Sequence, residues 1–362
     1  MIKTVQNNQE LKKWISFPKQ LYSPSSFYVP PIYKILFKEL KQQIFELKDY
    51  VALFCLKDDL IKGRILYTFK ESRRSQTLTC YFSYFDCFNE QEIADELFDY
   101  LKKECKKHNC KYIEGSYTPY DPDNRRGILV EGFEYPPMIF TSYNPPYYPT
   151  LLENIGFTKA YDTLALRANI PLNKPRMEKL ANFVQRHLPA LKLETLNPKE
   201  WKKQGQALYD IMKEASTNLN LSMAPSAKFV QDYIKKNRFF VKEDYVAIAY
   251  DKDKPIGFCA MLPDYNSVLK ELDGKINIFK FLKAKKQIKA CRGFLQYVIP
   301  AYQDKGVVIA LYNLLSTNML KNKNEHFEAS TILEENIKST NLVQSFEGSE
   351  IYKRYRIYHL EV

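Results

Sequence analysis

The chain has 362 residues, which is more than one hydrophobic core usually needs, so its length predicts two domains. Hydrophobic residues make up 45% and charged residues 27%, a balance that excludes a disordered or fibrous protein. No apolar run approaches the roughly 20 residues that span a bilayer, and the first residues lack the apolar core of a signal peptide. The 7 cysteines have no regular spacing and predict the reduced, buried thiols of a cytoplasmic protein.

The formal net charge is +12, from 54 Lys and Arg against 42 Asp and Glu, and it is spread along the chain. Such a surface predicts an anionic partner, which could be a nucleotide cofactor, nucleic acid or lipid headgroups. A surface that is simply rich in solvated lysines explains the charge equally well. Charge alone therefore leaves these alternatives open.

The glycines exclude two large nucleotide-binding classes. Among the 11 glycines no two are separated by a single residue, which excludes the dinucleotide-binding fingerprint. Gly127 and Gly132 have the interval of a P-loop, but Phe133 and Glu134 follow where a lysine and a hydroxyl residue must stand. The sequence also lacks the paired histidines of zinc proteases and the nucleophile elbow of α/β-hydrolases.

Two segments that lie 195 residues apart predict the same β-hairpin, 51–69 and 246–264. Gly63 and Gly257 each open the second strand of their hairpin. A glycine also precedes the closing strand of each half, and these two glycines lie 192 residues apart. The nearly constant offset predicts two copies of one α/β unit, at 1–168 and 169–362.

Each copy predicts the same elements in the same order. A leading helix and the hairpin are followed by an aromatic strand, a helix, a strand, a helix and a closing strand. In the first copy the predicted elements are, in chain order, 8–22, 51–69, 79–88, 90–107, 111–117 and the closing stretch 151–167. In the second copy they are 198–217, 246–264, 291–299, 306–321, 326–332 and the closing stretch 342–360. Residues 169–190 predict a linker and a joining helix.

Each copy also carries an insertion. The first, at 119–143, is rich in Pro, Asp and Arg. The second, at 267–289, is basic and contains Lys280, Lys283, Lys285, Lys286 and Lys289.

This order of elements resembles that of the GNAT acyltransferase superfamily, whose loop pattern is Q/R-x-x-G-x-G/A. The second copy has Gln303-Asp304-Lys305-Gly306-Val307-Val308, in which the first and fourth residues match and Val308 replaces the small last residue. The chain is also similar, over nearly its full length, to a group of uncharacterised bacterial tandem-GNAT proteins. The shared segments are SFYVPP (26–31), GILVEGFEYPP (127–137), YNPPYYPTLLENIGF (143–157) and YKRYRIY (352–358). The resemblance implies an α/β fold with a mixed sheet and two tandem GNAT-like domains.

The resemblance also implies a coenzyme A site in the second copy, with acetyl-CoA or another acyl-CoA as substrate and no metal. A glycine at a strand-to-helix turn lets backbone N–H groups approach the pyrophosphate, and the helix start attracts anions. Pantetheine would lie along the preceding strand. The implied cofactor-binding residues are Leu295, Tyr297, Val298, Ile299, Gln303, Asp304, Lys305, Gly306, Val307, Val308 and Asn336.

Candidate catalytic groups follow from the same resemblance. GNAT enzymes commonly use a glutamate or a water as base, and Glu334 and Glu335 stand just before the family's asparagine position. Val343 occupies the approximate position of the family's tyrosine acid, so Tyr297 on the cofactor strand is the alternative acid.

The first copy departs from the family pattern at the equivalent turn, 87–92, which contains no glycine. Asn89 with Glu92 three residues later predicts a capping box that closes a helix. Glu90 and Glu92 would also repel a pyrophosphate. We therefore expect no cofactor in the first copy, which would instead shape the acceptor cleft between the halves.

Several alternatives remain open from the residues alone. NPPYYP at 144–149 predicts either a wall of an acceptor pocket or a rigid packed turn. The function that the resemblance implies is transfer of an acyl group from acyl-CoA to an amine. One rival is a Fem-like aminoacyl-tRNA-dependent transferase, in which the 267–289 insertion would meet RNA. The other rival is a binding protein that kept the fold without the chemistry.

Overall fold

The computed structural model describes residues 1–23, 26–72, 75–119, 124–172, 174–197, 199–216, 227, 230, 231 and 242–362. These residues form one continuous mixed sheet of 13 strands. Alternate residues of its strands pack into separate clusters on the two faces. In β2 (Val51–Lys57), for example, Leu53 and Cys55 join one cluster while Ala52 and Phe54 join another.

The first half contains seven strands and five α-helices among the described residues. Its strands are β1 (Ile2–Thr4), β2 (Val51–Lys57), β3 (Leu60–Glu71), β4 (Leu78–Cys87), β5 (Tyr112–Gly115), β6 (Ile128–Glu131) and β7 (Thr158–Asn169). Its helices are α1 (Asn8–Ser16), α2 (Pro18–Leu21), α3 (Tyr33–Lys41), which continues as a π-helical turn at Gln42–Glu46, α4 (Gln91–Lys107) and α5 (Tyr148–Ile155).

The second half repeats this order after a joining helix. Its strands are β8 (Leu191–Thr195), β9 (Val246–Asp251), β10 (Lys254–Pro263), β11 (Ala290–Val298), β12 (His326–Leu333) and β13 (Glu350–Glu361). Its helices in the described residues are α6 (Lys174–His187), α7 (Trp201–Ala215), α8 (Asn266–Leu272), α9 (Ile278–Lys285), α10 (Val307–Lys321) and α11 (Ile337–Gln344). The predicted mixed α/β fold is confirmed, and the predicted leading helix at 8–22 is divided into α1 and α2 before Pro18.

The strand order reads the same from both edges of the sheet. It is β1-β2-β3-β4-β5-β13-β7-β12-β11-β10-β9-β8, with β6 pairing β13 beside this path. The two predicted hairpins, β2–β3 and β9–β10, therefore hold the second and third positions from their own edge. In each half the fourth and fifth strands form a parallel pair, β4 with β5 and β11 with β12.

The two halves exchange their closing strands. The last strand of the chain, β13, pairs with β5 of the first half, while β7 pairs with β12 of the second half. The exchanged strands then pair antiparallel with each other at the centre of the sheet. A division of the chain at 168 and 169 thus separates each half from the strand that completes its sheet, and two tandem domains with that boundary stay a prediction.

Each parallel pair separates part of the way along. β11 pairs with β12 only from Ala290 to Gly293, and a bulge at Phe294 shifts its register against β10. In the first half, β4 pairs with β5 only from Thr79 to Phe82, with an equivalent register shift against β3. A bulge bends and twists its strand, and in each half the two parallel strands are no longer paired beyond Gly293 or Phe82. We refer to the place where the two strands of a half stop pairing as its wedge.

The exchange of closing strands predicts that the chain unfolds as one unit. The sequence has two tryptophans, and Trp201→Phe leaves the buried Trp14 as a reporter of the first half. Adding Phe327→Ala to the core of the second half should cost about 3–5 kcal/mol of stability. We expect the Trp14 fluorescence midpoint on heating to fall together with the loss of circular dichroism. A Trp14 transition that stays at the temperature of the Trp201→Phe parent would contradict this.

Candidate functional site

The start of α10 lies at the open end of the second-half wedge. Gly306 precedes this helix with a φ of 77°, a left-handed conformation that favours glycine. A Cβ at this position would lie 2.5 Å from Cγ2 of Val184 on α6, so a side chain would also disturb the packing of α6. The glycine that the sequence singled out is therefore required both by its backbone conformation and by a close helix contact.

The loop before this helix is exposed to solvent. The side-chain amide of Gln303 donates to the carbonyl oxygen of Val298 at 3.1 Å, which ties the loop back to the end of β11. Asp304 pairs with Lys338 of α11 at 2.7 Å, linking the starts of two helices across the wedge. The ammonium of Lys305 lies 5.0 Å from the ring centroid of Tyr302. The start of α10 thus combines a solvent-exposed helix N-terminus with a lysine, an arrangement that favours an anion.

The end of β11 offers main-chain groups to the wedge. The N–H of Ile299 donates to the carbonyl of Ile256 at 3.0 Å, on the β10 side. Because main-chain groups of neighbouring residues point to opposite sides of a strand, the N–H of Val298 faces the wedge. Of the residues predicted to contact pantetheine, Val298 is thus well placed, whereas the N–H of Ile299 is already used within the sheet.

The other predicted cofactor residues lie around the same opening. Val307 is buried in the core, and Val308 is half-buried in the first turn of α10. Asn336 caps α11, because its side-chain oxygen accepts the N–H of Ser339 at 3.1 Å. Leu295 packs partly against the core of the second half.

The two glutamates predicted as bases have different surroundings. The carboxylate of Glu334 lies 2.7 Å from the ammonium of Lys159 and accepts the N–H of Asp162 at 3.0 Å. Partial burial opposes ionisation, but these two hydrogen bonds outweigh it and lower the pKa of Glu334 below its ordinary value. Glu335 is exposed. A carboxylate with a lowered pKa is a weak base, so the geometry gives Glu334 an ion-pairing task.

Tyr297, the predicted acid, lies on the face of the sheet opposite α10. Gly257, paired with Val298, packs towards Val307 of α10, so the neighbouring Tyr297 points to the other face. Its ring centroid is 5.5 Å from that of Phe258, and the residue is half-buried. We call this side of the second half the acceptor face.

A buried polar network lies on the acceptor face where β11 and β12 begin to separate, and the sequence analysis missed it. Arg292 is completely buried and donates to the hydroxyl and carbonyl oxygens of Ser330, at 2.8 and 3.1 Å. The Ser330 hydroxyl donates to Glu328 at 2.5 Å, and the hydroxyl of Tyr352 donates to the other oxygen of the same carboxylate. Arg292 also lies 5.4 Å from the ring of the bulge residue Phe294.

Lys353 completes this network from the central strand β13. Its ammonium lies 3.5 Å from the Glu328 carboxylate and donates to the Tyr352 hydroxyl at 3.0 Å. It also donates at 2.7 Å to the carbonyl of Pro136, which belongs to the insertion of the first half. Burial lowers the pKa of Lys353, and burial beside Glu328 raises that of Tyr352 far above its ordinary value. Tyr352 is half-buried, and its hydroxyl lies between two buried charged groups, the Glu328 carboxylate and the Lys353 ammonium.

Asp264, just after β10, borders the same network. Its carboxylate accepts the N–H groups of Ile139 at 2.9 Å and Asn266 at 3.2 Å. Burial raises its pKa from 3.8 to about 6, and the nearby Glu328 acts in the same direction. The sequence signal was present but not used: charged residues lie within or just after largely apolar strands at 264, 292, 328 and 353.

The wedge of the first half is filled by its own side chains. Cys87 pairs with Gly63 as Val298 pairs with Gly257, so the two residues hold equivalent positions. Tyr148 accepts the Cys87 N–H at 2.9 Å, and Tyr147 donates to the Cys87 carbonyl at 2.8 Å. The main-chain groups that would meet pantetheine are therefore occupied by tyrosine hydroxyls. At Tyr147 and Tyr148 the NPPYYP segment thus packs into the first half.

The predicted capping box at Asn89 is wrong. Helix α4 begins after Glu90, and the structure shows no side-chain cap there. Lys57 lies 3.2 Å from the Glu90 carboxylate and also pairs with Glu92. These acidic side chains are neutralised by a lysine of the neighbouring hairpin, which local sequence spacing could not reveal.

Within the part of the chain that the structure describes, no group of three or more His, Cys, Asp or Glu side chains could hold a metal ion. Among the same residues, no helix has the length and apolar character needed to cross a membrane. All seven cysteines are buried and free, as predicted.

The raised pKa of Asp264 predicts a stability difference that depends on pH. Between pH 3.8 and about 6 the folded state holds a proton that the unfolded state has released, so this group stabilises the fold at low pH and the contribution is lost as the pH rises through about 6. From pH 7 to pH 4.5 we expect the parent to gain about 1–2 kcal/mol relative to Asp264→Asn in urea unfolding. The exposed control Glu335→Gln should show no such gain. A parent–variant difference that is independent of pH would contradict the assignment.

Two curated proteins are similar to the chain. Protein YghO of Escherichia coli (strain K12) is 26% identical over 387 aligned positions, which cover 100% of this chain and 95% of that protein. Bacterial ceramide synthase of Caulobacter vibrioides is 26% identical over 243 positions, covering 64% of this chain and 62% of that protein. No model of a protein family matches the chain.

Solved structures show the fold. A tandem GNAT protein from the clavulanic acid biosynthesis pathway is 10% identical with a TM-score of 0.58, covering 100% of this chain and 98% of that one. A second match is the GCN5-related glucosamine N-acetyltransferase region of a fungal multi-domain β-N-acetylglucosaminidase, with a TM-score of 0.60 at 10% identity. The match covers 99% of this chain and 38% of that one. The strand separation beside the α10 start and these likenesses agree on one architecture: the chain has a tandem GNAT-like fold.

Proposed function

We propose that the second half binds acyl-CoA in the wedge between β11 and β12 and transfers the acyl group to an amine. The observation that carries this proposal is the convergence of three features at one opening. These are the separation of the two strands after Gly293, the inward-facing N–H of Val298, and the exposed start of α10 with Lys305. An elongated, anionic cofactor needs a slot, a main-chain hydrogen-bonding edge and a positive end, and this opening offers all three.

The reaction must form a C–N bond and break a C–S bond. The amine attacks the thioester carbonyl, the thiolate leaves and takes up one proton, and the nitrogen loses one. Tyr352 is our candidate for the proton donor, because its hydroxyl contacts both the Glu328 carboxylate and the Lys353 ammonium on the acceptor face. Glu328 holds that hydroxyl by a hydrogen bond and is a positioning residue.

The earlier candidates are less favourably arranged for this chemistry. Glu334 is held by Lys159 and the backbone of Asp162, and its lowered pKa weakens it as a base. Tyr297 shares the acceptor face and stays a rival proton donor. The first half contributes no second cofactor site in this proposal, because Tyr147 and Tyr148 occupy the equivalent strand end.

The name of the Caulobacter relative refers to ceramide, which is itself an amide, so it is compatible with N-acylation. At 26% identity over 64% of this chain, that name assigns no acceptor to this protein. The proposal of an amine acceptor rests instead on the fold and on the buried polar network.

Binding of acyl-CoA can be tested by charge reversal at the loop. Gly306→Asp is unsuitable, because any side chain there would meet Val184. Lys305→Glu changes an exposed residue and should raise the acyl-CoA dissociation constant roughly tenfold, since an attractive charge becomes repulsive. The matched control is Lys321→Glu at the other end of α10. The melting temperature of each variant is measured across an acyl-CoA titration. At an acyl-CoA concentration of a hundred times the dissociation constant, the parent should be stabilised by about 2.7 kcal/mol.

Equal affinities for the two variants would remove the cofactor from this loop. A parent that no acyl-CoA stabilises would overturn the proposed function. If aminoacyl-tRNA stabilises such a parent, the Fem-like alternative takes its place.

The proton donor can be tested with a pair of tyrosine variants. Tyr352→Phe should lower kcat roughly a hundredfold without changing the acyl-CoA dissociation constant, because only proton transfer is affected. Tyr297→Phe is the matched comparison and should change kcat by no more than a few fold. Amide formation and thiol release are measured across a panel of amines. Glu328→Gln should shift the pH profile of kcat, which a purely structural role would not do. A larger loss in Tyr297→Phe would transfer the role to that residue.

A further inference from the structure

Helix α9 and the residues just before it present apolar side chains to solvent. Phe279 is 87% exposed, and Ile276, Ile278 and Leu282 are between 54% and 65% exposed. Side chains of this size scattered singly need no explanation, but four within seven residues form a patch. We refer to these four residues as the apolar patch.

The patch stands on a helix that is anchored to the fold. Asn277 caps α9 by accepting the N–H of Lys280 at 3.0 Å, which fixes where the helix begins. On its inner side, Ala284 is buried, and Phe281 stacks on Tyr265 with ring centroids 5.9 Å apart. The helix therefore already has an inner apolar side, and the patch lies outside that contact.

Lysines surround the patch. Lys280, Lys283 and Lys286 are exposed or half-buried, and within the described residues none of them forms an ion pair. Lys285 lies 5.9 Å from the Phe281 ring, and Lys289 pairs with Glu325 at 2.6 Å. Residues 276–286 thus combine projecting apolar side chains with three lysines that form no ion pair within the described part of the chain.

We propose that α9 docks on a lipid bilayer with anionic headgroups, with the apolar patch at the level of the acyl chains and the lysines against the headgroups. Helices that bind membrane interfaces combine these two components. Each lysine near an anionic surface contributes about a fivefold gain in binding, and long lysine side chains reach the headgroups while their stems cover apolar surface. Phosphates of RNA would attract the same lysines, but exposed isoleucine and leucine gain nothing from a phosphate backbone.

The position of α9 connects this surface to the candidate site. Helices α8 and α9 share one apolar cluster with Ile139, Leu262 and the bulge residue Phe294. Docking through α9 therefore brings the acceptor face towards the bilayer. If the proposed function holds, on which this step rests, the acceptor is an amine carried by a lipid.

Vesicle sedimentation of the full chain tests the docking surface. The probes are phosphatidylcholine vesicles with and without 30% phosphatidylglycerol. We expect the parent to bind the anionic vesicles. Phe279→Glu should bind them at least tenfold more weakly, because an aromatic side chain that would enter the bilayer is replaced by a charge. The matched control is Leu60→Glu, an exposed leucine at 59% on the hairpin of the first half, which should bind like the parent.

Charge is tested separately with Lys280→Gln, Lys283→Gln and Lys286→Gln combined. This triple variant should lose at least tenfold in binding to anionic vesicles. The control replaces Lys103, Lys106 and Lys111 of the first half by Gln and should keep the binding of the parent. The proposal is overturned if Phe279→Glu binds vesicles like the parent. It is also overturned if the chain binds tRNA but not vesicles, and only the triple lysine variant weakens the tRNA binding.

Thermal shift with acyl-CoA separates this inference from the proposed function. Phe279→Glu lies away from Lys305 and the α10 start, so acyl-CoA should stabilise it as much as the parent. Vesicle binding without any acyl-CoA effect on the parent would leave the docking surface intact and remove only the lipid-amine acceptor. Acyl-CoA stabilisation without vesicle binding would leave the proposed function intact and remove the docking surface.

Discussion

The antiparallel pairing of β7 with β13 holds the two halves in one sheet, and the site depends on it. Asp162 of β7 is almost fully buried and lies between Arg356 of β13, at 2.9 Å, and Lys159, at 3.3 Å. Although burial opposes ionisation, these cations lower its pKa. Removing one partner would leave a buried charge uncompensated, which is strongly destabilising. The pairing also places Tyr352 and Lys353 of β13 beside Glu328 of β12, although β7 lies between the two strands.

The two halves have equivalent strand positions at their wedges, but different side chains surround them. In the first half, two tyrosine hydroxyls satisfy the main-chain groups of Cys87. In the second half, the carbonyl of the equivalent Val298 accepts a hydrogen bond from the Gln303 amide, and its N–H points away from β10. The packed half still contributes to the site, because Pro136 and Ile139 accept hydrogen bonds from Lys353 and Arg292.

The acceptor face combines costly features that a purely structural region would not need. Arg292, Glu328 and Lys353 are buried charges, and they persist because each has several hydrogen-bond partners. A few residues away, α9 exposes apolar side chains among lysines.

The sequence by itself determined the order of elements, because strand and helix periodicity and turn glycines are local signals. The repeat at a nearly constant offset located both hairpins, and Gly306 marked the start of α10 correctly, since a left-handed residue before a helix needs glycine. The missing glycine at 87–92 already predicted that the first copy holds no cofactor. Only the tertiary structure decided how the first wedge is filled, because Tyr147 and Tyr148 reach Cys87 from about 60 residues further along the chain. It also decided the exchange of closing strands and the polar network. The polar network depends on contacts between residues that are far apart in sequence, such as Arg292, Ser330 and Tyr352. No local pattern predicts these contacts, because the register of strands across the sheet determines them.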